Sequence, residues 1–367
     1  MKIGIDARFY GPKQKGLGRY VQKLVDNLEK VDLNNQYIIF LRKENWSEYQ
    51  PTNSNFKKVL ADYRWYSLKE QLMMPFKIWQ AKVDLMHFPH FNLPIFCFKP
   101  FVVTIHDLVL RKFPTRRASM LNPFLYWLKN LAYRLVVFLA VKRAKKIIAV
   151  SNYTKKDILK YFRVKPEKIK VVYEGSPDKL RTRLKASGAS LSAKRYLLYV
   201  GNAYPHKNLE RLILAFKKLI KDEQIDCQLV LVGELDYFYR RLQKQFSTVE
   251  GLFFTDFVSD KELAVLYQKA SLYVFPSLGE GFGLPPLEAM AYGLPVVSSE
   301  ATCLPEILGQ AAIYFDPANI EDMAEKIKQV LKDKKIQEKL VDQGFRKIQE
   351  YSWSKMAQET LRVYTEM

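Results

Sequence analysis

Cysteine is scarce in this 367-residue chain: Cys97, Cys227 and Cys303 stand far apart, each in apolar surroundings. No CxxC pair and no Cys/His cluster occurs, which excludes a disulfide framework and a zinc site of ordinary spacing and fits a reducing compartment. Long apolar runs are missing too. The most lipid-like stretch, Leu125 to Val141, is broken by Lys129 and Arg134, and its longest clean run is Leu135 to Val141. A spanning helix needs about 20 apolar residues, so this stretch reads as a buried or membrane-facing helix. The opening MKIGIDARFY has no apolar signal core and reads as a first strand. Acidic residues are short in one half only. Residues 1–178 hold 33 Lys and Arg against 14 Asp and Glu, whereas 179–367 hold 26 against 24. Two explanations of that basic half stay open: Lys-rich solvated helices, or a surface that meets anionic lipid or a phosphate-bearing acceptor. Nucleic acid is not expected, because no RRM, KH or zinc-finger signature occurs.

What the chain does have is rhythm. Its length suggests two domains of roughly 150–200 residues, and at 48% hydrophobic it can bury a core in each. The first half alternates short apolar runs (KIGIDA, YIIFL, DLMHF, FVVTIHD, KKIIAVS, KIKVVYE) with amphipathic ones. In GRYVQKLVDNLEKV the apolar residues Val21, Leu24, Val25 and Leu28 recur at helical spacing. SLKEQLMMPFKIWQ, the region 118–143 and SNYTKKDILKYF read as further helices, the last capped by Ser151 or Asn152. The polar, small-residue stretch 181–194 has no period and reads as a connection. The rhythm then restarts from RYLLYVG and runs to AAIYFDP and its following helix. Strands alternating with helices predict parallel sheets covered on both faces. The expected fold is therefore α/β, with two Rossmann-like domains over 1–180 and 195–351 and ligands at the carboxyl ends of the strands, in the cleft between them.

Four segments carry candidate chemistry. After the strand LYVFPS comes Glu280-Gly-Phe-Gly-Leu-Pro-Pro-Leu-Glu288. Gly279, Gly281 and Gly283 allow close approaches, and Pro285 and Pro286 suit a helix's first turn. A helix start so placed serves an anion or a hydroxyl-rich sugar. Glu288 is expected in that first turn, either as a hydroxyl acceptor or merely to complement the helix dipole. In YVGNAYPHKNLERLI a strand ends at Gly201, and Lys207 precedes a helix beginning near Asn208. A cation there can meet a diphosphate leaving group, or can be an ordinary exposed helix-start lysine. Lys15-Gly16-Leu-Gly18-Arg19 reads as a glycine loop opening a helix, and FVVTIHDL sets His106 and Asp107 at a strand terminus. Asp107 either orients the His106 ring or touches a ligand; His87 and His90 read as loop packing nearby.

Two glutamates separated by the seven residues GFGLPPL resemble the signature of glycosyltransferase family 4, which has the GT-B fold. YVGNAYPHKN, GLGRY, HFPHFNLP and TIHDL are similar to its O-antigen and capsule mannosyltransferase branch. The resemblance implies that Glu288 holds the ribose and Glu280 the donor sugar, with main-chain donors from Gly281, Phe282, Gly283 and Leu284. It implies a phosphate role for Lys207 beside Gly201 and Asn202; Asn202 stands where the family carries an Arg, leaving His206 or Arg19 as possible second cations. It implies that Gly16, Gly18 and Arg19 lie under the phosphates and acceptor, and that His106, with Asp107, lies near the donor sugar. It implies too that a final helix, 352–367, crosses back to the first domain. No Asp-x-Asp triplet occurs, so the resemblance implies metal-independent catalysis without a resident cofactor. The expected activity is retaining transfer of a hexose, with mannose from GDP-mannose first and a UDP-sugar as the alternative, to a saccharide or lipid-linked saccharide. A sugar-nucleotide epimerase or a non-catalytic binding module is the remaining option. The expected place is the cytoplasm, peripheral on the inner membrane face, with the basic half against anionic lipid.

Overall fold

The computed structural model describes residues 1–115, 122–177 and 195–366. These part into two units, one of 1–112, 122–175 and 351–366, the other of 113–115, 176–177 and 195–350. The connection expected over 181–194 lies outside the described residues. In chain order the helices are α1 (Lys15–Val31), α2 (Leu68–Gln80), α3 (Val109–Lys112), α4 (Pro123–Arg143), α5 (Asn152–Phe162), α6 (Leu209–Lys221), α7 (Tyr237–Gln245), α8 (Asp260–Lys269), α9 (Leu284–Ala291), α10 (Leu304–Leu308), α11 (Ile320–Lys332), α12 (Lys334–Lys347) and α13 (Trp353–Thr365).

The first unit's strands are β1 (Lys2–Asp6), β2 (Gln36–Leu41), β3 (Phe56–Leu60), β4 (Leu85–Phe88), β5 (Phe101–Ile105), β6 (Lys146–Ala149) and β7 (Ile169–Val171). They pair in parallel in the order β3-β2-β1-β4-β5-β6-β7. Successive side chains leave opposite faces of a strand, and both faces are covered here. In β2, Tyr37, Ile39 and Leu41 enter one core while Ile38 and Phe40 enter the other. Double coverage is why these strands read as unbroken apolar runs rather than alternating ones. One core takes Tyr20, Val21, Leu24, Val25 and Leu28 of α1 and Met356, Ala357, Val363 and Tyr364 of α13. The other takes Met74 and Ile78 of α2, Val137, Ala140 and Val141 of α4, and Ile158 and Phe162 of α5.

One local expectation shifts and two are sharpened. α1 begins at Lys15, so Gly16 and Gly18 are inside its first turn rather than in a loop before it. The reason is tertiary: the preceding turn packs onto the helix, Gly11 N–H donates to the Gly18 carbonyl at 3.4 Å, and a Cβ on Gly18 would lie 2.0 Å from the Gly11 oxygen. The helix expected over 118–143 runs from Pro123, started by the Asn122 side chain accepting from Leu125 N–H; residues 116–121 lie outside the described residues. Ser151, not Asn152, caps α5, accepting from Thr154 N–H. The chain's last helix, α13, packs on α1, and Trp353 lies where a Cβ on Gly175 would meet its ring at 2.4 Å.

The second unit's strands are β8 (Tyr196–Val200), β9 (Gln228–Val232), β10 (Leu252–Thr255), β11 (Leu272–Phe275), β12 (Val296–Ser299) and β13 (Ile313–Phe315), parallel in the order β10-β9-β8-β11-β12-β13. In both sheets the order runs outward from the first strand and then restarts on its other side. The chain therefore leaves β1 and β4 toward opposite sides, and likewise β8 and β11. Crevices open at such switch points, beyond the carboxyl ends of the strands.

Candidate active site

The second unit's crevice is made by the segments after β8 and β11. After β8, Gly201 N–H donates to the Val232 carbonyl at 3.0 Å and its own carbonyl accepts from the Tyr239 hydroxyl at 2.8 Å. The Asn202 carbonyl accepts from the Tyr199 hydroxyl at 2.8 Å, and its side-chain oxygen from Tyr204 N–H at 3.3 Å. A single 3-10 turn, Pro205–Lys207, follows, and α6 then begins at Leu209. Asn208, in the left-handed region at φ 62, donates from its side-chain amide to the carbonyls of Pro276 (3.0 Å) and Pro317 (2.8 Å). Leu278 N–H donates to the His206 carbonyl at 2.7 Å. The two segments are thus stitched together by main-chain and amide bonds.

That stitching brings Lys207 and Glu280, 73 positions apart, into an ion pair of 2.6 Å. Both side chains are about 15% exposed, at 15% and 14%. An ammonium has three donors, so Lys207 can hold Glu280 and still present N–H to an incoming anion. The pairing also cancels a carboxylate that would repel a diphosphate. His206 beside it is pushed down to about 4 by burial and, secondarily, by the Lys207 charge. It is therefore neutral near pH 7 when no anion is bound.

The glycine segment is braced from beneath by Thr302 and Cys303. Glu280 N–H donates to the Thr302 hydroxyl at 3.1 Å, and the Cys303 thiol donates to the carbonyls of Glu280 (3.3 Å) and Phe282 (3.4 Å). Gly283 has φ 97, and a Cβ there would lie 2.9 Å from Leu304. It caps α9, whose Leu284, Pro285 and Pro286 form the first positions. Glu288 is the fifth residue of α9, so it belongs to the second turn and not the first; proline at the second and third positions extends the helix earlier than expected. It is buried, and the Tyr267 hydroxyl donates to it at 3.3 Å. This depth is more than dipole complementation needs. Gly201, Asn202, Lys207, Glu280, Gly281, Phe282, Gly283, Leu284 and Glu288 thus surround one switch point.

In the first unit the matching crevice follows β1 and β4, with β5 alongside. His106, just past β5, pairs through Nδ1 with Glu174 at 2.9 Å, while Nε2 reaches the Pro89 carbonyl at 2.9 Å. Asp107 is not the ring's hydrogen-bonding partner: its Oδ1 accepts from Val109 N–H at 2.9 Å, starting α3. His87 is not loop packing either. It lies within β4, fully buried, between the Tyr364 hydroxyl (2.5 Å) and Thr104 (2.9 Å). Tyr20, next to Arg19, sets its ring edge-on to His106 at 4.6 Å, which brings the start of α1 over that histidine. Gly16 has open space where a Cβ would be, so close approach is not what it provides in this structure.

Burial alone would depress the His106 pKa, but the Glu174 carboxylate, with the Pro89 carbonyl, raises it above the ordinary imidazole value. His87 and His90 are pushed down to about 3, by burial first and then by His106. His106 therefore favours its charged form more than an ordinary imidazole does, while His87 and His90 beside it favour the neutral one. A raised folded pKa contributes stability that is present below the unfolded value of about 6.5 and is lost as pH rises through the folded one. The melting-temperature advantage of wild type over His106→Gln should accordingly be largest below about pH 6.5 and shrink as pH rises above it. An advantage that grows with pH would contradict the pairing.

Beneath this crevice, fully buried Arg8 pairs with Asp6 (2.7 Å) and Glu70 (2.6 Å) and donates to the Tyr63 carbonyl at 3.1 Å. Glu70 also accepts from Asn92 at 2.9 Å and from Tyr66 N–H at 2.8 Å. Arg8, Glu174, Tyr267, Thr302 and Cys303 are the residues that sequence reasoning missed. Among the described residues, no three His, Cys, Asp or Glu side chains group to hold a metal ion.

Residues 15–178 match the family described as Glycosyltransferase Family 4, and residues 181–347 match Glycosyl transferases group 1. O-antigen chain mannosyltransferase B of Escherichia coli is 28% identical over 95% of this chain and 95% of that protein. O-antigen chain mannosyltransferase RfbU of Salmonella typhimurium is 29% identical over 76% of this chain and 74% of its own length. Among solved structures, Anabaena Alr3699/HepE in complex with UDP-glucose superposes with a TM-score of 0.75 at 16% identity, covering 100% of this chain and 99% of that one.

Proposed function

We infer that this chain, a GT-B glycosyltransferase carrying the domain pair of family 4, moves mannose from a nucleotide diphosphate sugar to a saccharide acceptor, with retention and without a metal. The observation that carries the reading is the Lys207–Glu280 pair at the β8/β11 switch point, beside the α9 N-terminus. Breaking a sugar–phosphate bond builds charge on the departing diphosphate, and a preplaced cation and helix end favour that state over the ground state. Buried Glu288 suits vicinal ribose hydroxyls as a two-oxygen acceptor. Glu280 is committed to Lys207 and is read as a donor-positioning group, not a nucleophile. In the proposed step the acceptor hydroxyl bonds to the anomeric carbon on the face that the diphosphate leaves, and its proton passes to a departing phosphate oxygen. Trapping of a glycosyl adduct on Glu280 would overturn that step. Mannose is supported by the names of the relatives at 28% and 29% identity, and a lipid-linked saccharide in cell-surface polysaccharide synthesis is the acceptor class proposed with it.

The direct test is thermal unfolding with GDP, GDP-mannose, UDP-glucose and UDP-N-acetylglucosamine, each with and without EDTA. A ligand that binds only the folded state stabilises by about 2.7 kcal/mol at a hundredfold excess over Kd. GDP and GDP-mannose are expected to raise Tm with concentration, unchanged by EDTA. A response to UDP-sugars alone would move the donor to that class, and no response to any nucleotide sugar would overturn the donor site.

A further inference from the structure

Helix α4 turns Val137, Ala140 and Val141 into the core, yet its other face is not polar. Phe124, Trp127, Leu128, Leu131, Leu135 and Phe138 follow one another at helical spacing there, and each is 45–70% exposed. A helix apolar on both sides needs an apolar neighbour on both sides. Helix α2 repeats the pattern, burying Met74 and Ile78 and exposing Leu68, Leu72, Phe76 and Trp79. Between α2 and the loop 95–99 lies a groove of about 450 Å³ lined by Leu72, Trp79, Phe96 and Phe98, the last 87% exposed. Arg143, at the end of α4, donates to the carbonyls of Ile95 and Cys97 and sits over the Phe98 ring at 5.9 Å. Both helices pack on the same core and Arg143 ties the end of α4 to the 95–99 loop, so these exposed apolar faces lie on the same side of the first unit's sheet.

Charge identifies what covers them. The segments 63–82, 95–99 and 122–146 contain eleven Lys and Arg and a single acid, Glu70, which is spent on buried Arg8. We propose that this surface docks on an anionic lipid bilayer, with α4 lying in the plane of the headgroups and α2 and the 95–99 loop set into the same leaflet. A 21-residue helix is roughly 30 Å long, and interfacial helices of this kind sink about 5–10 Å. Arg134 and Lys142 lie at the border and end of the apolar seam and can run their stems along it to reach phosphates. Spanning is not compatible with the fold. It would strip Val137, Ala140 and Val141 from the core and place Lys129 and Arg134 within the hydrocarbon. A second copy of the chain is disfavoured as the occupant because it would set two like-charged faces together.

The test uses the full chain. It should float with phosphatidylglycerol-containing vesicles at low salt, much less at high salt, and little with phosphatidylcholine alone. Trp127→Glu/Leu131→Glu should lower partitioning at least tenfold, and Arg134→Gln/Lys142→Gln by roughly thirtyfold, both at wild-type Tm. Lipids with brominated chains should quench the tryptophan fluorescence of the wild type, and Trp79→Phe/Trp127→Phe should lose most of that quenching; this readout needs no polar substitution in the seam. Absence of anionic-vesicle binding at low salt, or of quenching, would overturn the proposal. So would a seam variant that floats normally but loses a wild-type self-association measured by light scattering, since the face would then belong to a second copy.

Discussion

Lys207→Ala is expected to lower kcat by about 10²–10³, the loss typical when one preorganised charge is removed from a developing anion. Donor KM should rise as well, because the change uncovers Glu280, whose side chain is only 14% exposed and has Lys207 at 2.6 Å as its partner. An unmatched carboxylate at the proposed diphosphate site would repel the donor. Glu280→Ala alone should also cost activity, by removing the proposed sugar contact and the group that orients the lysine. The two changes should not add: residues in direct contact couple by about 0.5–3 kcal/mol, so the double variant should be less impaired than the product of the singles. Lys207→Arg should retain part of the rate, since charge survives but the short reach does not. Steady-state kinetics on the four variants decides the matter. Turnover of Lys207→Ala within a few-fold of wild type would remove the lysine from the mechanism.

The largest stability effect should come from Arg8→Met. Its guanidinium is fully buried between Asp6 and Glu70, and removing one member of a buried ionic cluster typically costs about 3–5 kcal/mol. At roughly 2–4 °C per kcal/mol for a unit of this size, Tm should fall by about 6–20 °C. Burial already holds the Glu70 carboxyl above its ordinary range, with Arg8 pulling it back. Without Arg8 it should rise further. A group whose folded pKa is raised stabilises the fold when protonated, so the deficit relative to wild type should narrow as pH falls from about 7 to about 5. A pH-independent deficit would mean that lost packing, not stranded charge, is the cause. Because Glu70 also holds Asn92 and Tyr66 N–H, the same change should loosen the segments beyond β1 and β4.

Element by element, the alternation of apolar runs and helical stripes was enough to read both parallel sheets. Val21, Leu24, Val25 and Leu28 are all in the core, as their spacing required. What escaped reading depends on partners distant in the chain. Glu174 is 68 positions from His106, and only the strand order β5-β6-β7 places their carboxyl ends along one edge. A lone glutamate after a short apolar strand carries no sign of that. Thr302 and Cys303 look like ordinary turn and core residues until the glycine segment is folded over them. The start of α1 was misplaced because glycine in a sequence argues for a loop, whereas here Gly18 serves the close packing of Gly11 against the helix. The face of α4 was legible as apolar, and which part of it reaches the core follows only from the register of Val137, Ala140 and Val141.

The return of α13 has a consequence in time. During synthesis at about 5–20 residues per second, the segment 176–350 takes roughly 10–35 s to emerge. Throughout that interval the apolar stripe of α1 has no covering helix, Gly175 has no Trp353 against it, and His87 waits for a tyrosine 277 positions downstream. The unit that starts the chain is therefore the last to be completed on the ribosome, and a message truncated before Tyr351 yields a first unit with an open core.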